Sequence, residues 1–171
     1  AYSFENGMMH PGDKPGLGKF VYPGLYPVGC SAFGSEPEVD GNGRVIVLFT
    51  PVVNALVNAQ DCGRTGYVAG FFYGTDLLTG NANSNKAEIF YAYVPDSLGT
   101  YSCPHTAAAV KSLLPDTYIH ELQHMISFNQ HVLARGGNVE ETWLNEGMSH
   151  TAEEIVSKMD EARSQAPLGR R

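Results

Sequence analysis

The segment "HELQHMISF", residues 120–128, places two histidines one helical turn apart, with a glutamate directly after the first. Side chains four residues apart lie on the same face of an α-helix, so His120 and His124 can reach one ion together. Glu121 follows His120 and can approach that ion from the side. An H-E-x-x-H pattern on a helix is typical of zinc sites in which two neutral imidazoles bind the metal and the glutamate accepts a proton from water. The segment therefore predicts a helix that carries a zinc site.

The neighbouring residues decide between a metal site and a chance match on a solvated helix. Apolar residues surround the polar trio on more than one side of the helix: Ile119, Leu122, Met125, Ile126 and Phe128. A surface helix would carry more charge. Histidines that face the interior must be paired or ligated, because an unpaired buried polar group costs about 1–3 kcal/mol. This context favours the metal site.

A catalytic zinc of this kind needs a third protein ligand and one open coordination position. The extended pattern H-E-x-x-H-x-x-G-x-x-H would need glycine at 127 and histidine at 130, where the chain has Ser127 and Gln130. His131 is one position off and is expected at the surface or at a helix end. The ligand is therefore sought among five downstream carboxylates, which are Glu140, Glu141, Glu146, Glu153 and Glu154.

Glu146, in "TWLNEGMSH", is the predicted third ligand, because an acidic residue in a bulky apolar first turn of a helix needs a partner. Gly147 beside it would let a neighbouring backbone approach closely. Glu153 lies near the same helical face, where it either accepts a hydrogen bond from the second nitrogen of a ligand histidine or remains an exposed charge. The other candidates are expected to be solvated or helix-start charges, namely Glu140, Glu141 and Glu154.

The rest of the chain indicates strands first and helices second. Residues 44–50 and "KAEIFYAYV", residues 86–94, have the β-branched and aromatic composition of strands, whereas residues 1–42 are rich in Gly and Pro and predict loops and short strands. From Thr106 the pattern is helical, and Pro115 is expected to start a new helix that ends at the Gly136–Gly137 pair. A last helix is predicted from near Thr142, with an apolar repeat of Leu144, Met148, Ala152, Ile155 and Met159.

The turn "DGNG", residues 40–43, imitates the start of a calcium-binding EF-hand loop. When Glu38 is counted as position 1 of such a loop, Phe49 stands at position 12, where a bidentate glutamate is required. The segment is therefore interpreted as a turn before a strand.

Composition narrows the classes of protein and partner. With 171 residues and 43% hydrophobic content, the chain can bury one ordinary core. A net charge of −7 without a basic stripe disfavours a nucleic-acid partner. The apolar runs are interrupted well before the roughly 18–20 residues of a membrane span. Three cysteines without a C-x-x-C pair, Cys30, Cys62 and Cys103, allow either one disulfide with one free thiol or no disulfide.

"HELQHMISF" followed by "ETWLNEGMSHTAE" resembles the gluzincin zinc metallopeptidases, in which a glutamate of an N-E-G or N-E-A motif completes the H-E-x-x-H site. The hyicolysin-type branch is the closest likeness, suggested also by "DGNGRVIVLFTPVVN" and "SNKAEIFYAYVPD", and the resemblance covers roughly residues 38–156. It implies zinc ligands His120, His124 and Glu146, with Glu121 as general base. Glu153 matches the glutamate seven residues past the third ligand in aminopeptidase relatives.

Two further roles are left open by the resemblance. Thermolysin-like relatives have an aspartate four residues after the ligand glutamate, where this chain has His150. Such relatives also stabilise the oxyanion with a Tyr or His, for which His150 is a candidate and Tyr91 and Tyr93 are weaker ones.

The implied fold is α+β and zincin-like. A lobe with a twisted mixed sheet places an edge strand over the cleft above the zinc helix, and a helical lower lobe brings the third ligand. "AEIFYAYV" is the edge-strand candidate. Residues 1–171 would form a single catalytic domain, with an upper lobe over about residues 1–134 and the start of the lower lobe, truncated if the protein is longer, over about residues 138–171.

The implied function is that of a secreted zinc-dependent endopeptidase, which hydrolyses peptide or protein substrates through a zinc-activated water with Glu121 as general base. One alternative is a non-catalytic or latent zinc-binding domain of a larger secreted protein. The other is a zinc aminopeptidase, which is disfavoured because the chain lacks the G-x-M-E-N type stretch that binds a free amino terminus.

Overall fold

A computed structural model describes residues 2–8 and 25–165 of the chain. It has the predicted mixed α+β architecture, with strands followed by two long helices. The elements are β1 (Tyr2–Met8), α1 (Tyr26–Phe33), β2 (Ile46–Phe49), α2 (Pro51–Asn54), α3 (Ala59–Thr65), β3 (Gly70–Phe72), a 3-10 turn (Gly74–Leu77), β4 (Ile89–Ala92), α4 (Ala107–Phe128), a π-helical turn (Asn129–Leu133) and α5 (Thr142–Gln165). The strands predicted at residues 44–50 and 86–94 are confirmed, as β2 and β4. The helices α1, α2 and α3 were not predicted, and α1 lies within residues 1–42, for which loops and short strands were expected.

The four strands form one mixed sheet in the order β1-β2-β4-β3. β2 and β4 run parallel, with Ile46 opposite Ile89, while β1 and β3 pair antiparallel to their neighbours. The prediction that "AEIFYAYV" is the edge strand is therefore wrong. β4 lies inside the sheet, and Phe90 and Ala92 are fully buried, because its apolar composition suits a strand covered by neighbours.

The edge next to β4 is formed by the short strand β3, and Gly70 explains how closely it packs. A Cβ atom at Gly70 would lie 2.8 Å from Cγ2 of Thr117 on α4 and 2.9 Å from the carbonyl oxygen of Tyr91 on β4. Only glycine allows this approach without displacing the neighbouring atoms. β3 is thereby held directly against the helix that carries the two histidines.

Helix α4 is capped by Thr106, whose side chain accepts a hydrogen bond from the Ala109 N–H, and it continues without a break for 22 residues. The prediction that Pro115 starts a separate helix is wrong, since Pro115 lies inside α4. A proline removes one bond to the carbonyl four residues earlier, and here that residue, Lys111, is exposed, so water can satisfy its carbonyl. The face of α4 toward the sheet is apolar, and Tyr118 packs edge-to-face on Phe90 with ring centroids 5.6 Å apart.

Helix α5 begins at Thr142, as predicted, and packs against α4. The predicted apolar repeat of this helix is only partly right. Ala152 is buried, and Met148 and Ile155 are half-buried. Leu144 and Met159, however, are exposed. Among residues 142–159 of this helix, the buried positions are Ser149, Ala152 and Val156. Small and polar residues face α4 because that part of α4 presents polar side chains, such as Gln123, which accepts a hydrogen bond from the Ser149 hydroxyl at 2.6 Å.

One disulfide joins Cys62 of α3 to Cys103, and Cys30 is a free thiol, which is one of the two arrangements that the cysteine count allows. Within the described residues, no helix combines the length and the apolar composition that crossing a membrane requires.

Candidate metal centre

Three side chains from two helices converge at one point. α4 provides His120 and His124, and the first turns of α5 provide Glu146. Nε2 of His120 lies 3.3 Å from Oε2 of Glu146, and Nε2 of His124 lies 3.7 Å from Oε1 of the same carboxylate. The histidine side chains are largely buried, whereas that of Glu146 is 48% exposed, so the cluster opens to solvent on the side of the glutamate.

The spacing of these atoms suits a zinc ion. Tetrahedral coordination with bonds of about 2.0–2.2 Å separates neighbouring ligand atoms by about 3.4 Å. The two contacts of Glu146, at 3.3 and 3.7 Å, lie close to that separation, and all three ligand atoms lie within 4.8 Å of one another. Two imidazoles with one carboxylate also form a donor set that zinc prefers. The residues therefore fit this metal.

The second nitrogen of each imidazole is engaged by an acceptor on α5. Nδ1 of His120 lies 2.6 Å from Oε1 of Glu153, and Nδ1 of His124 lies 3.0 Å from Oδ1 of Asn145. Since a carboxylate and an amide oxygen only accept hydrogen bonds, Nδ1 carries the proton in both rings, and a neutral ring then presents the lone pair of Nε2. Both rings thus direct their metal-binding nitrogen toward Glu146.

Sequence reasoning did not identify Asn145 or Ser149 as neighbours of the site. Oγ of Ser149 lies 3.1 Å from Nδ1 of His124 and adds a second polar contact to that ring. Burial lowers the pKa of His124, which keeps the imidazole neutral as metal binding requires. Asn145 directly precedes Glu146, and this adjacency is the signal that could have identified it.

Glu121 lies on α4 beneath the edge strand. Its Oε2 accepts a hydrogen bond of 2.7 Å from the backbone N–H of Phe72, the last residue of β3. The residue is only 6% exposed, and burial raises the pKa of its carboxyl to about 8. The carboxylates of Glu146 and Glu153 add to this rise, whereas the bond from Phe72 opposes it. A buried carboxyl with a raised pKa near the metal ligands is well placed to exchange protons.

The candidates for oxyanion stabilisation lie in different surroundings. His150 is exposed, with Nδ1 3.2 Å from Oε2 of Glu153 and its ring centroid 5.2 Å from that of His120. His150 thus lies next to the cluster of His120, His124 and Glu146. The Tyr91 hydroxyl donates to Oδ2 of Asp76 at 2.6 Å, and the ring of Tyr93 packs on His105. The Tyr91 hydroxyl is therefore engaged by Asp76, and Tyr93 is buried in the core.

Two expectations about the neighbourhood of Glu146 are wrong. Glu140 is not a solvated charge: its side chain is 7% exposed, accepts a hydrogen bond from the Ser127 hydroxyl, and lies 3.2 Å from Nε2 of His131. Gly147 does not admit a close backbone from the described part of the chain, in which no atom lies within 4 Å of the position a Cβ would take.

The first turn of α5 is bulky and apolar in sequence, but its Trp143 is 75% exposed. Two other expectations are confirmed. Glu154 is exposed, with its Oε1 3.6 Å from Nζ of Lys158, and His131 is half-exposed.

A cavity of about 260 Å³ adjoins the cluster. Its walls come from the edge-strand side, the end of α4, and the start of α5, through Phe72, Gly74, His124, Ser127, Phe128, His131, Val139, Glu140, Asn145 and Glu146. The lining combines the aromatic rings of Phe72 and Phe128 with the polar side chains of Glu140 and Asn145. The cavity can therefore hold a side chain of a molecule bound at the metal centre.

Comparison with known proteins relates the chain to a metallopeptidase. Over 131 residues it is 31% identical to the neutral metalloprotease ShpI of Staphylococcus hyicus. The matched segment covers 75% of this chain but 27% of that relative, so the chain spans about a quarter of the relative's length. No protein-family model matches the chain.

Proposed function

We propose that this chain contains the zinc centre of a gluzincin endopeptidase of the hyicolysin type. The observation that carries the proposal is the convergence of His120, His124 and Glu146. The buried Glu121 lies on α4, beside His120. The similarity to a neutral metalloprotease supports the same class of reaction. The proposed substrates are peptides or proteins, and the proposed location is outside the cell.

His120, His124 and Glu146 would hold the zinc ion. When bound, zinc polarises the scissile carbonyl group and acidifies water, which makes peptide hydrolysis possible near neutral pH. Glu153 and Asn145 orient the two imidazoles by accepting the hydrogen bonds of their Nδ1 atoms. All five residues come from α4 and α5, so the packing of these two helices determines the geometry of the centre.

Glu121 is the proposed general base. It accepts a proton from the attacking water and later delivers that proton to the leaving amine. The hydrogen bond from Phe72 N–H fixes the orientation of its carboxylate and ties it to the edge strand. His150 is the proposed oxyanion donor, since it is exposed beside His120.

The edge strand β3 offers a means of binding an extended substrate. A peptide can add to a sheet edge through main-chain hydrogen bonds while its side chains enter adjacent pockets. Phe72 both ends β3 and lines the cavity of about 260 Å³, so a peptide on this edge would pass the metal centre with a side chain in the cavity. Binding along an edge needs no free amino terminus, which favours an endopeptidase over an aminopeptidase.

A latent or non-catalytic zinc domain is the second candidate. It is favoured by the half-exposed Glu146, since the cluster opens to solvent on the side of this residue. The proposed division of this chain is an upper lobe over about residues 1–134 and the start of a lower lobe over about residues 138–171.

The deciding experiment is cleavage of an unfolded, amine-blocked protein by the zinc-loaded chain, with and without a chelator, alongside metal analysis. Glu121→Gln is expected to keep one zinc per chain and to lose at least about 10²-fold in turnover, whereas Glu146→Ala is expected to lose the metal. Glu154→Gln, an exposed charge on α5, is the matched control and should behave as the unaltered chain.

Unchanged cleavage by Glu121→Gln would refute its role as base. One bound zinc without cleavage by the unaltered chain would favour the latent domain. Absence of bound zinc from the folded chain would refute the metal centre itself.

A further inference from the structure

We propose that Glu38, Asp40 and Glu88 form a calcium site at the amino ends of the parallel strands β2 and β4. The turn "DGNG" leads into β2, and Glu88 directly precedes β4. One carboxylate oxygen from each of the three residues lies within 4.8 Å of the other two. This cluster is separate from the three residues proposed to bind zinc.

Glu88 provides the independent evidence for a ligand. The residue is 1% exposed, and its Oε1 accepts a hydrogen bond of 2.5 Å from the Val39 N–H. Its Oε2 is buried and has no hydrogen-bond partner among the described residues. An unpaired buried carboxylate oxygen is unfavourable, and buried carboxylates are stabilised by hydrogen bonds, by a cation or metal ion, or by protonation. The unpaired oxygen lies in a side chain that faces two further carboxylates.

Asn42 adds to the cluster and holds Asp40 in place. Its backbone N–H donates to Oδ1 of Asp40 at 3.0 Å, and its Nδ2 donates to Oδ2 at 2.6 Å. The remaining amide oxygen, Oδ1 of Asn42, is also buried without a partner among the described residues. A second unpaired oxygen is thus attached to the same turn, where a cation with several oxygen ligands would satisfy it.

The charges at this position call for a cation. The side chain of Glu88 is buried, and it lies beside the carboxylates of Glu38 and Asp40, with one oxygen of each within 4.8 Å of the others. A bound dication would offset the repulsion among the three carboxylates. The donors are all oxygen atoms, which suits calcium rather than zinc, and calcium completes its 6–8 ligands with water and carbonyl oxygens.

This arrangement explains why the linear motif failed to indicate the site. An EF-hand loop draws its final glutamate from position 12 of the same loop, where this chain has Phe49. Here the pairing of β2 with β4 brings Glu88 to the turn. Glu88 follows Val39 by 49 residues in sequence. The acidic ligand thus comes from the neighbouring strand.

The test is equilibrium dialysis of radioactive calcium against the zinc-loaded protein, combined with thermal unfolding in calcium and in calcium-free buffer. About one calcium per chain and a higher Tm in calcium are expected. Asp40→Asn and Glu88→Gln should each bind calcium at least ten-fold more weakly and lose most of the Tm shift, while zinc content is unchanged. Glu154→Gln, which removes an exposed charge elsewhere, should bind as the unaltered chain does.

Two outcomes would overturn the proposal. One is no calcium binding by the folded, zinc-loaded chain, in which case Glu88 is accommodated as a protonated carboxyl. The other is calcium binding that Asp40→Asn and Glu38→Gln leave unchanged. Both of these substituted residues are exposed, so these variants decide the question even if Glu88→Gln does not fold.

Discussion

Glu153 on α5 makes a 2.6 Å contact with Nδ1 of His120, and this contact determines which nitrogen of the ring faces Glu146. A carboxylate behind an imidazole fixes the tautomer, restricts rotation of the ring and raises the basicity of the other nitrogen. Glu153 is about one-third exposed, and its carboxylate contacts two histidines, His120 and His150. Its contribution should therefore appear in metal affinity more than in folding stability.

We predict that Glu153→Ala weakens zinc binding about 10–100-fold, the usual effect of removing such a partner. Glu153→Gln keeps an acceptor oxygen without the charge and should weaken binding less than alanine does. The measurement is competition for zinc against a chromophoric chelator, with Glu154→Ala as the matched control on the outer face of the same helix. Equal zinc affinity in Glu153→Ala and Glu154→Ala would contradict a positioning role for Glu153.

The residues of the candidate site differ in how far sequence could predict them. The convergence of His120 and His124 is local, because helical periodicity alone places residues four apart on one face. The contacts of Glu146, Glu153 and Asn145 depend on how α5 crosses α4, which no local pattern encodes. Glu140 was misjudged for the same reason, since its burial depends on Ser127 and His131.

At the scale of elements, the position of β3 connects the sheet to the candidate site. Composition could identify β2 and β4, but not their order, because a parallel pairing depends on a crossover rather than on a short hairpin. The strand with the stronger sequence signal lies inside the sheet, and the three-residue β3 forms the edge. Its backbone, through Phe72 N–H, contacts Glu121 directly.

We predict that Gly70→Ala destabilises the protein by about 1–3 kcal/mol, the usual effect of overpacking. The added Cβ would lie 2.8 Å from Thr117 and 2.9 Å from the Tyr91 carbonyl, so β3 must move away from α4. This movement should also reduce peptidase activity in the folded protein, because it displaces the amide that orients Glu121. The measurements are urea unfolding and turnover of the folded variant.

Gly63→Ala is the control for this substitution. Gly63 lies within α3, and a Cβ atom there would meet nothing within 4 Å. Since alanine is favoured over glycine in a helix by about 1 kcal/mol, this variant should be as stable as the original or more stable. Equal stability of the two variants would show that β3 adapts freely to the added atom.

At the scale of the whole molecule, the disulfide Cys62–Cys103 joins parts of the chain that are distant in sequence. It closes a loop of 41 residues that contains β3 and β4, with Cα atoms 5.9 Å apart. Beside it, the ring of His105 packs on Tyr93, and Asp96 and His105 exchange two backbone hydrogen bonds of 2.8 Å. The link therefore restrains the segment that leads into α4.

We predict that the double variant Cys62→Ala, Cys103→Ala loses about 2–4 kcal/mol of unfolding free energy, because a link across a loop of this length restricts the unfolded chain. Urea unfolding followed by circular dichroism measures this loss. Thiol titration of the unfolded original chain should rise from one to three thiols per chain on reduction, since Cys30 is free. Cys30→Ala is the control, because it removes a sulfur without removing the link. If the double variant and Cys30→Ala unfolded at the same urea concentration, the prediction would be wrong. The packing around His105 would then hold this segment without the disulfide.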